Sequence, residues 1–217
     1  SPTGQGFLGD YRLRFDMWQN YNSPLGVGGS GSTQISGGGI GTAGTTAQWA
    51  GGVQDSIHFG TTLDGQSASD YRAYSSAAPV GYNVASGVFA ATSQNGSDSY
   101  YAQFGGESAP VIQGSIGTTA AGVTGFAWRD VVIEKIGNNV TWTIDGLLLA
   151  TVDASTVTLG GDNILLNMYD SNTTRSTDNP NDRLFTVFDN VRVEAVPEPS
   201  TIALGLMGAF GAMFALR

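Results

Sequence analysis

Residues able to do acid–base, nucleophilic or metal chemistry are few in this chain. It has four glutamates (Glu107, Glu134, Glu194 and Glu198), one histidine (His58) and no cysteine. The lack of cysteine removes disulfides, thiolate metal sites and a cysteine nucleophile, and a lone histidine leaves no structural zinc site. Asp55, Ser56 and His58 stand close together in "GGVQDSIHFG", but the members of a hydroxyl–imidazole–carboxylate relay converge from separate elements of a fold. His58 is therefore expected on a strand, hydrogen-bonded locally. Hydrolysis of a glycosidic bond needs two carboxyls about 5–9.5 Å apart, one of them holding a proton near neutral pH. Glu134, in "VVIEKIG", precedes Lys135 and reads as a solvent-facing strand residue. No catalytic residue is expected, and the chain reads as a non-enzyme.

Binding chemistry is better represented. The stretch "YDSNTTRSTDNPNDRLF" carries Asp170, Asn172, Asp178, Asn179, Asn181 and Asp182 between two predicted strands. Calcium takes about six to eight hard oxygen ligands, which Asp, Asn and backbone carbonyls supply from such loops. Asp170, Asn172, Asp178 and Asp182 are the candidate ligands. The same residues are also ordinary turn formers, and Arg175 and Arg183 offset part of their field, so both readings stand. Neutral sugars are held by exposed aromatic rings with nearby amide and carboxylate groups, because Tyr and Trp combine an apolar body with a polar tip. "FDMWQNYN" offers Trp18, Asn20 and Tyr21, and "SDYRAYSS" offers Asp70, Tyr71 and Tyr74. Aromatics in sandwiches also fill cores, and Trp142, alternating with Val140 and Ile144, is expected there.

Composition bounds the partners. Eighteen acidic residues face nine basic ones, a net charge of −9, and only Lys135 is a lysine. Phosphate backbones would be repelled, so nucleic acid is not an expected partner, whereas neutral sugars and divalent cations are compatible. Hydrophobic residues make up 41% of the chain, enough to pack a core, so disorder throughout is not expected.

The elements that must position these groups are strands. "YRLRFDM" alternates, with Tyr11, Leu13, Phe15 and Met17 on one face and Arg12, Arg14 and Asp16 on the other. Residues 130–153 read as a three-stranded meander, with tight turns at Gly137-Asn138-Asn139 and Asp145-Gly146 supplying the positive φ that hairpins need. Further strands are expected at 164–170 and 184–196, and shorter ones at 57–59, 71–74, 87–91 and 99–104. The glycine-rich stretch 26–48 reads as a flexible loop, since no strand–loop–helix pattern or Gly-Lys-Ser/Thr makes it a phosphate cradle. Many short strands without intervening helices predict an all-β, two-sheet antiparallel sandwich over residues 1–195.

The last 22 residues, "VPEPSTIALGLMGAFGAMFALR", differ from the rest. After two prolines, residues 201–216 carry no charge and would form a helix about 24 Å long at ~1.5 Å per residue, a short transmembrane span. Pro197, Glu198 and Pro199, the apolar run and terminal Arg217 together resemble the PEP-CTERM sorting signal of Gram-negative bacteria. The resemblance implies recognition by an exosortase, transient residence in the inner membrane with Arg217 on the cytoplasmic side, and a body that works at the cell surface or in the extracellular matrix. The chain opens on Ser1 without a charged-then-apolar leader, as expected of a mature chain or a fragment.

The meander "WRDVVIEKIGNNVTWTIDGLLLATVD" and the closing "FTVFDNVRVEAVPEPS" are similar to those of concanavalin A-like, laminin-G-like jelly rolls in exported planctomycete and verrucomicrobial proteins. That likeness, over roughly residues 7–196, implies a jelly-roll sandwich and, loosely, calcium at a rim. Laminarinase-type members carry Glu-x-Asp-x-x-Glu along one strand, and this chain has no such motif. The expected role is a polysaccharide-associated binding or structural module. A glycan-active hydrolase or lyase on the same fold, and a purely structural matrix protein, remain the alternatives.

Overall fold

A computed structural model describes residues 1–21, 34–49, 55–62, 68–75, 87–114, 117–170 and 183–197. Ten strands form two antiparallel sheets. The strands are β1 (Tyr11–Asn20), β2 (Gln34–Thr42), β3 (Ile57–Thr62), β4 (Tyr71–Ser75), β5 (Gly87–Phe89), β6 (Trp128–Ile136), β7 (Asn139–Ile144), β8 (Leu147–Asp153), β9 (Asn163–Asp170) and β10 (Phe185–Ala195). The larger sheet has six strands in the order β10-β1-β6-β7-β8-β5, and the smaller has four, β4-β3-β2-β9.

Period-two alternation builds the large sheet. In β1 the side chains of Tyr11, Leu13, Phe15 and Met17 are buried, while Arg12, Arg14, Asp16 and Trp18 between them stay partly exposed. The meander β6-β7-β8 turns at Asp145 and Gly146, whose φ values of 49° and 78° suit a two-residue turn that follows the strand twist. Strand β10 runs back along β1, with Ala195 opposite Tyr11 and Phe185 opposite Asn20. A bulge interrupts this pairing between Arg14 and Asp16. There Asn190 takes a left-handed φ of 49°, and its side-chain amide donates to Asp16 Oδ2 at 2.6 Å.

Side chains from both sheets meet in one core. Phe59 of β3 stacks on Trp142 of β7, with centroids 5.2 Å apart and planes 19° off parallel. Tyr71 of β4 stacks on Tyr101 at 4.1 Å, and its hydroxyl donates to the Gly122 carbonyl at 2.6 Å. Burial pushes the Tyr71 phenol well above its ordinary pKa. Gly122 has φ +85°, and any Cβ there would run into the Gly96 carbonyl, so only glycine fits.

Two sequence-based expectations need correction. The stretch expected to be a loop at 26–48 contains β2, buried along its whole length. Its glycines are there for close approach: a Cβ on Gly38 would lie 3.0 Å from the Phe15 ring. Glycine lowers strand propensity, and the packing of sheet against sheet overrides it. The expected strand at 99–104 is a 3₁₀ turn over Ser99–Tyr101, because Asp98 caps it by accepting the Tyr100 N–H at 2.9 Å. Tyr101 is thereby turned inward, and the Tyr100 hydroxyl donates to the Leu148 carbonyl at 2.7 Å. The expected helix at 201–216 lies outside the described residues, and among the described residues no helix is long and apolar enough to cross a membrane.

Candidate functional site: the open face of the large sheet

The residues that β1 and β6 turn away from the core share one face. Their register places Trp18 opposite Trp128, Asp16 opposite Asp130, Arg14 opposite Val132 and Arg12 opposite Glu134. Strand β7 continues the rows with Thr143 beside Val132 and Thr141 beside Glu134. A groove of about 270 Å³ runs over these side chains. Within it Arg14 grips Asp130 with two hydrogen bonds, Nε to Oδ1 at 2.6 Å and Nη2 to Oδ2 at 2.9 Å. Arg12 donates to Glu134 Oε2 through both Nε, at 2.8 Å, and Nη2. The bond to Asp130 raises the Arg14 pKa above its ordinary value.

Ion pairs this open contribute little to stability, typically ~0–1 kcal/mol. Their effect is on the groove itself. Each positive charge is matched by a negative one, so the floor is nearly neutral. The guanidinium forks also retain N–H donors, and the carboxylates lone pairs, beyond those used in the pairs.

An aromatic strip begins one outward-facing position beyond Asp130 on β6, at Trp128. Trp18 packs between Phe126, at 6.4 Å, and Phe185, at 5.8 Å. Its cross-strand neighbour Trp128 is 53% exposed, and Val187, opposite Trp18 on β10, is 40% exposed. An apolar strip thus crosses three strands and ends where the polar groove begins.

Of the six residues proposed from the sequence as sugar contacts, this face includes one, Trp18. The others are interior, which corrects the expected exposure. Asn20 is held by its own amide, which donates to the Arg183 carbonyl at 2.6 Å and accepts from Gln113 Nε2 at 2.6 Å. Tyr21 stacks on Phe126 at 4.4 Å. Asp70 accepts from Thr62 Oγ1 and from the Gly96 N–H, both at 2.7 Å. Tyr71 is in the core, and Tyr74 stacks on His58 at 4.9 Å. The cause is shared by Tyr71 and Tyr74: β4 is buried on both faces, so alternation there does not separate inside from outside.

His58 lies on β3 with the local bond its sequence context predicts. Ser56 Oγ donates to Gln48 Oε1 at 3.1 Å, so its single proton is committed and His58 Nδ1 is the donor to Ser56 Oγ, at 3.2 Å. The imidazole is fully buried, which pushes its pKa down to about 4. The Asp55 carboxylate is occupied elsewhere, by Thr42 Oγ1 at 2.8 Å and the Ala43 N–H at 3.0 Å. The three neighbours do not form a relay.

Asp170 ends β9. Asn172, Asp178 and Asp182 lie outside the described residues, as do Glu198, Pro199 and Arg217, while Pro197 is described. Among the described residues no three His, Asp or Glu side chains are placed to hold a metal ion.

Trp128, Thr141 and Thr143 were not singled out in the sequence. Alternation alone would have put Trp128 on the outer face, but only strand register shows it beside Trp18. What emerges is a two-sheet antiparallel sandwich whose open face combines a charge-balanced groove with an aromatic strip. No protein-family model matches the chain, and no curated protein matches it.

Proposed function

We propose that this chain is a non-enzymatic polysaccharide-binding module of the concanavalin A-like jelly-roll type, exported to the cell surface or extracellular matrix. The observation that carries the binding reading is the adjacency of Trp18 and Trp128 on the same face as a neutral, hydrogen-bonding groove, one row beyond it. Sugar rings present apolar C–H faces that stack on aromatic rings, while their hydroxyls pair with the arginine, carboxylate and threonine groups beyond. The −9 net charge favours a neutral glycan over an acidic one.

Affinity electrophoresis of the full chain against a panel of neutral polysaccharides tests this. One glycan should retard it, and Trp128→Ala should weaken the interaction at least tenfold, about 1.4 kcal/mol. No retardation by any glycan would sink the proposal and favour a purely structural matrix protein. Repeating the run with chelator tests whether calcium, held through Asp170, Asn172, Asp178 and Asp182, supports the site.

Hydrolysis has one observation in its favour. Asp16 and Asp130 face each other across β1 and β6, which puts two carboxyl side chains side by side on one face, the residue type that glycosidases use as a pair. Asp130 is held by two hydrogen bonds from Arg14, and Asp16 by one from the Asn190 amide, so both carboxyls are engaged with neighbouring side chains. Release of reducing ends from a retarding glycan, abolished by Asp16→Asn, would overturn the non-enzymatic reading.

The tail is proposed as the exosortase signal, with Pro197, Glu198 and Pro199 as the recognised corner, residues 201–216 as the membrane helix and Arg217 at its cytoplasmic end. Mass spectrometry of the chain recovered from an exosortase-bearing host should show the residues beyond the Pro-Glu-Pro corner removed. An intact C terminus at Arg217 would refute that role.

A further inference from the structure

Strand β10 is the edge of the large sheet: it pairs with β1 on one side and with no described strand on the other. Seven of its residues are exposed: Phe185, Val187, the run Asp189–Arg192 and Ala195. Its backbone has a definite polarity. The Val196 N–H donates to the Asp10 carbonyl at 3.0 Å, so Val196 faces β1. In an antiparallel ladder the bonding direction alternates. Glu194 and Arg192 therefore also bond toward β1, while the N–H and C=O groups of Ala195 and Val193, and the C=O of Val191, point away from the sheet. Such a row of outward-facing groups is a template for another strand.

We propose that this edge pairs with a second copy of the chain, antiparallel over Val191–Ala195, with the two-fold axis at Val193. The register is chosen by charge. Centring on Val193 sets Arg192 of each copy opposite Glu194 of the other, on the groove face, giving two symmetric ion pairs. Within one chain Arg192 already bonds Glu194, Nε to Oε1 at 2.6 Å. It also lies directly opposite Arg14, a like-charge juxtaposition that a second carboxylate offsets. The hydrogen-bonded pairs are then Val193 with its copy and, on each side of the axis, the Val191 carbonyl with the Ala195 N–H. Val191 is 45% exposed and would be covered. The pairing is delimited at both ends, by the Asn190 bulge before it and by Pro197, which has no N–H to donate, after it. The two large sheets become one, with both grooves on the same continuous face.

Sedimentation equilibrium of the full chain in a density-matched detergent tests the proposal, the detergent keeping the apolar tail from associating. A dimer is expected. Arg192→Glu sets Glu against Glu across the axis and should raise the dimer dissociation constant at least tenfold. The double variant Arg192→Glu/Glu194→Arg restores complementarity and should recover the dimer. Val193→Pro removes an N–H that β1 does not use, so the far-ultraviolet circular dichroism should be retained while the dimer is lost. A monomer at all concentrations overturns the proposal, as does a dimer that none of these variants weakens, or a double variant no better than Arg192→Glu alone.

Discussion

Trp142→Ala is expected to destabilise the protein by about 3–5 kcal/mol, the range for emptying a large aromatic site in a packed core. Trp142 is 1% exposed, lies on β7 between Ile133 of β6 and Ala150 of β8, and carries the stack on Phe59 that joins the two sheets. It also contacts Tyr71 at 6.3 Å, so its removal loosens β3 and β4 together. The neighbouring residue Thr141 faces the groove, and Thr141→Ala should change stability by only ~0.5 kcal/mol or less. Urea midpoints for the two variants make the comparison. Similar losses from both would mean that β7 does not divide core from groove as described.

A loss of stability on mild acidification is the second large effect. The imidazole of an unfolded chain titrates near pH 6.5, whereas in the folded protein burial pushes His58 down to about 4, opposed only in part by Asp55. Between those values the unfolded state takes up the proton and the folded state does not. Stability from this group is therefore fully present above about pH 6.5, and it is lost as pH falls toward 4. The slope is about 1.4 kcal/mol per pH unit, which integrates to roughly 3 kcal/mol across the window. Carboxylates add acid sensitivity of their own, so the informative quantity is the difference between the wild type and His58→Gln. The variant's profile should be flatter between pH 6.5 and 4. Parallel profiles would mean that His58 is solvated or takes up its proton within the fold.

Legibility in the sequence followed the environment of each strand. β1, β6 and β7 each bury one face and leave the other open, so Leu13 and Arg14, or Val140 and Thr141, declared their sides by alternation. The two meander turns were readable because Gly137 and the Asp145-Gly146 pair adopt conformations few residues tolerate. β2 was hidden because its centre is Gly37-Gly38-Gly39, chosen for clearance against Phe15 and the neighbouring strands and not for strand propensity. Ser99–Tyr101 was misread because its aromatic content resembles a strand, while the decisive residue, Asp98, acts through a cap. The candidate site was legible only by halves. Trp18 stood out as an aromatic at a strand end, but its partner Trp128 lies 110 positions further along, and nothing local reports a cross-strand register. The opposite error befell Tyr71 and Tyr74, where composition suggested a platform and a strand buried on both sides made them interior.

The strand order of the large sheet also sets a timetable. β1 lies between β6 and β10, so the first of the described strands has neither neighbour until more than a hundred further residues have been made. Its outer flank stays open until nearly all of the described chain is made. The small sheet differs: β2, β3 and β4 pair in chain order, and only the far flank of β2 waits for β9. β1 cannot be enclosed early, and such distant pairings belong to the slow, millisecond-to-second class of folding. β10, the strand next to the Pro-Glu-Pro corner, is the one that completes the large sheet.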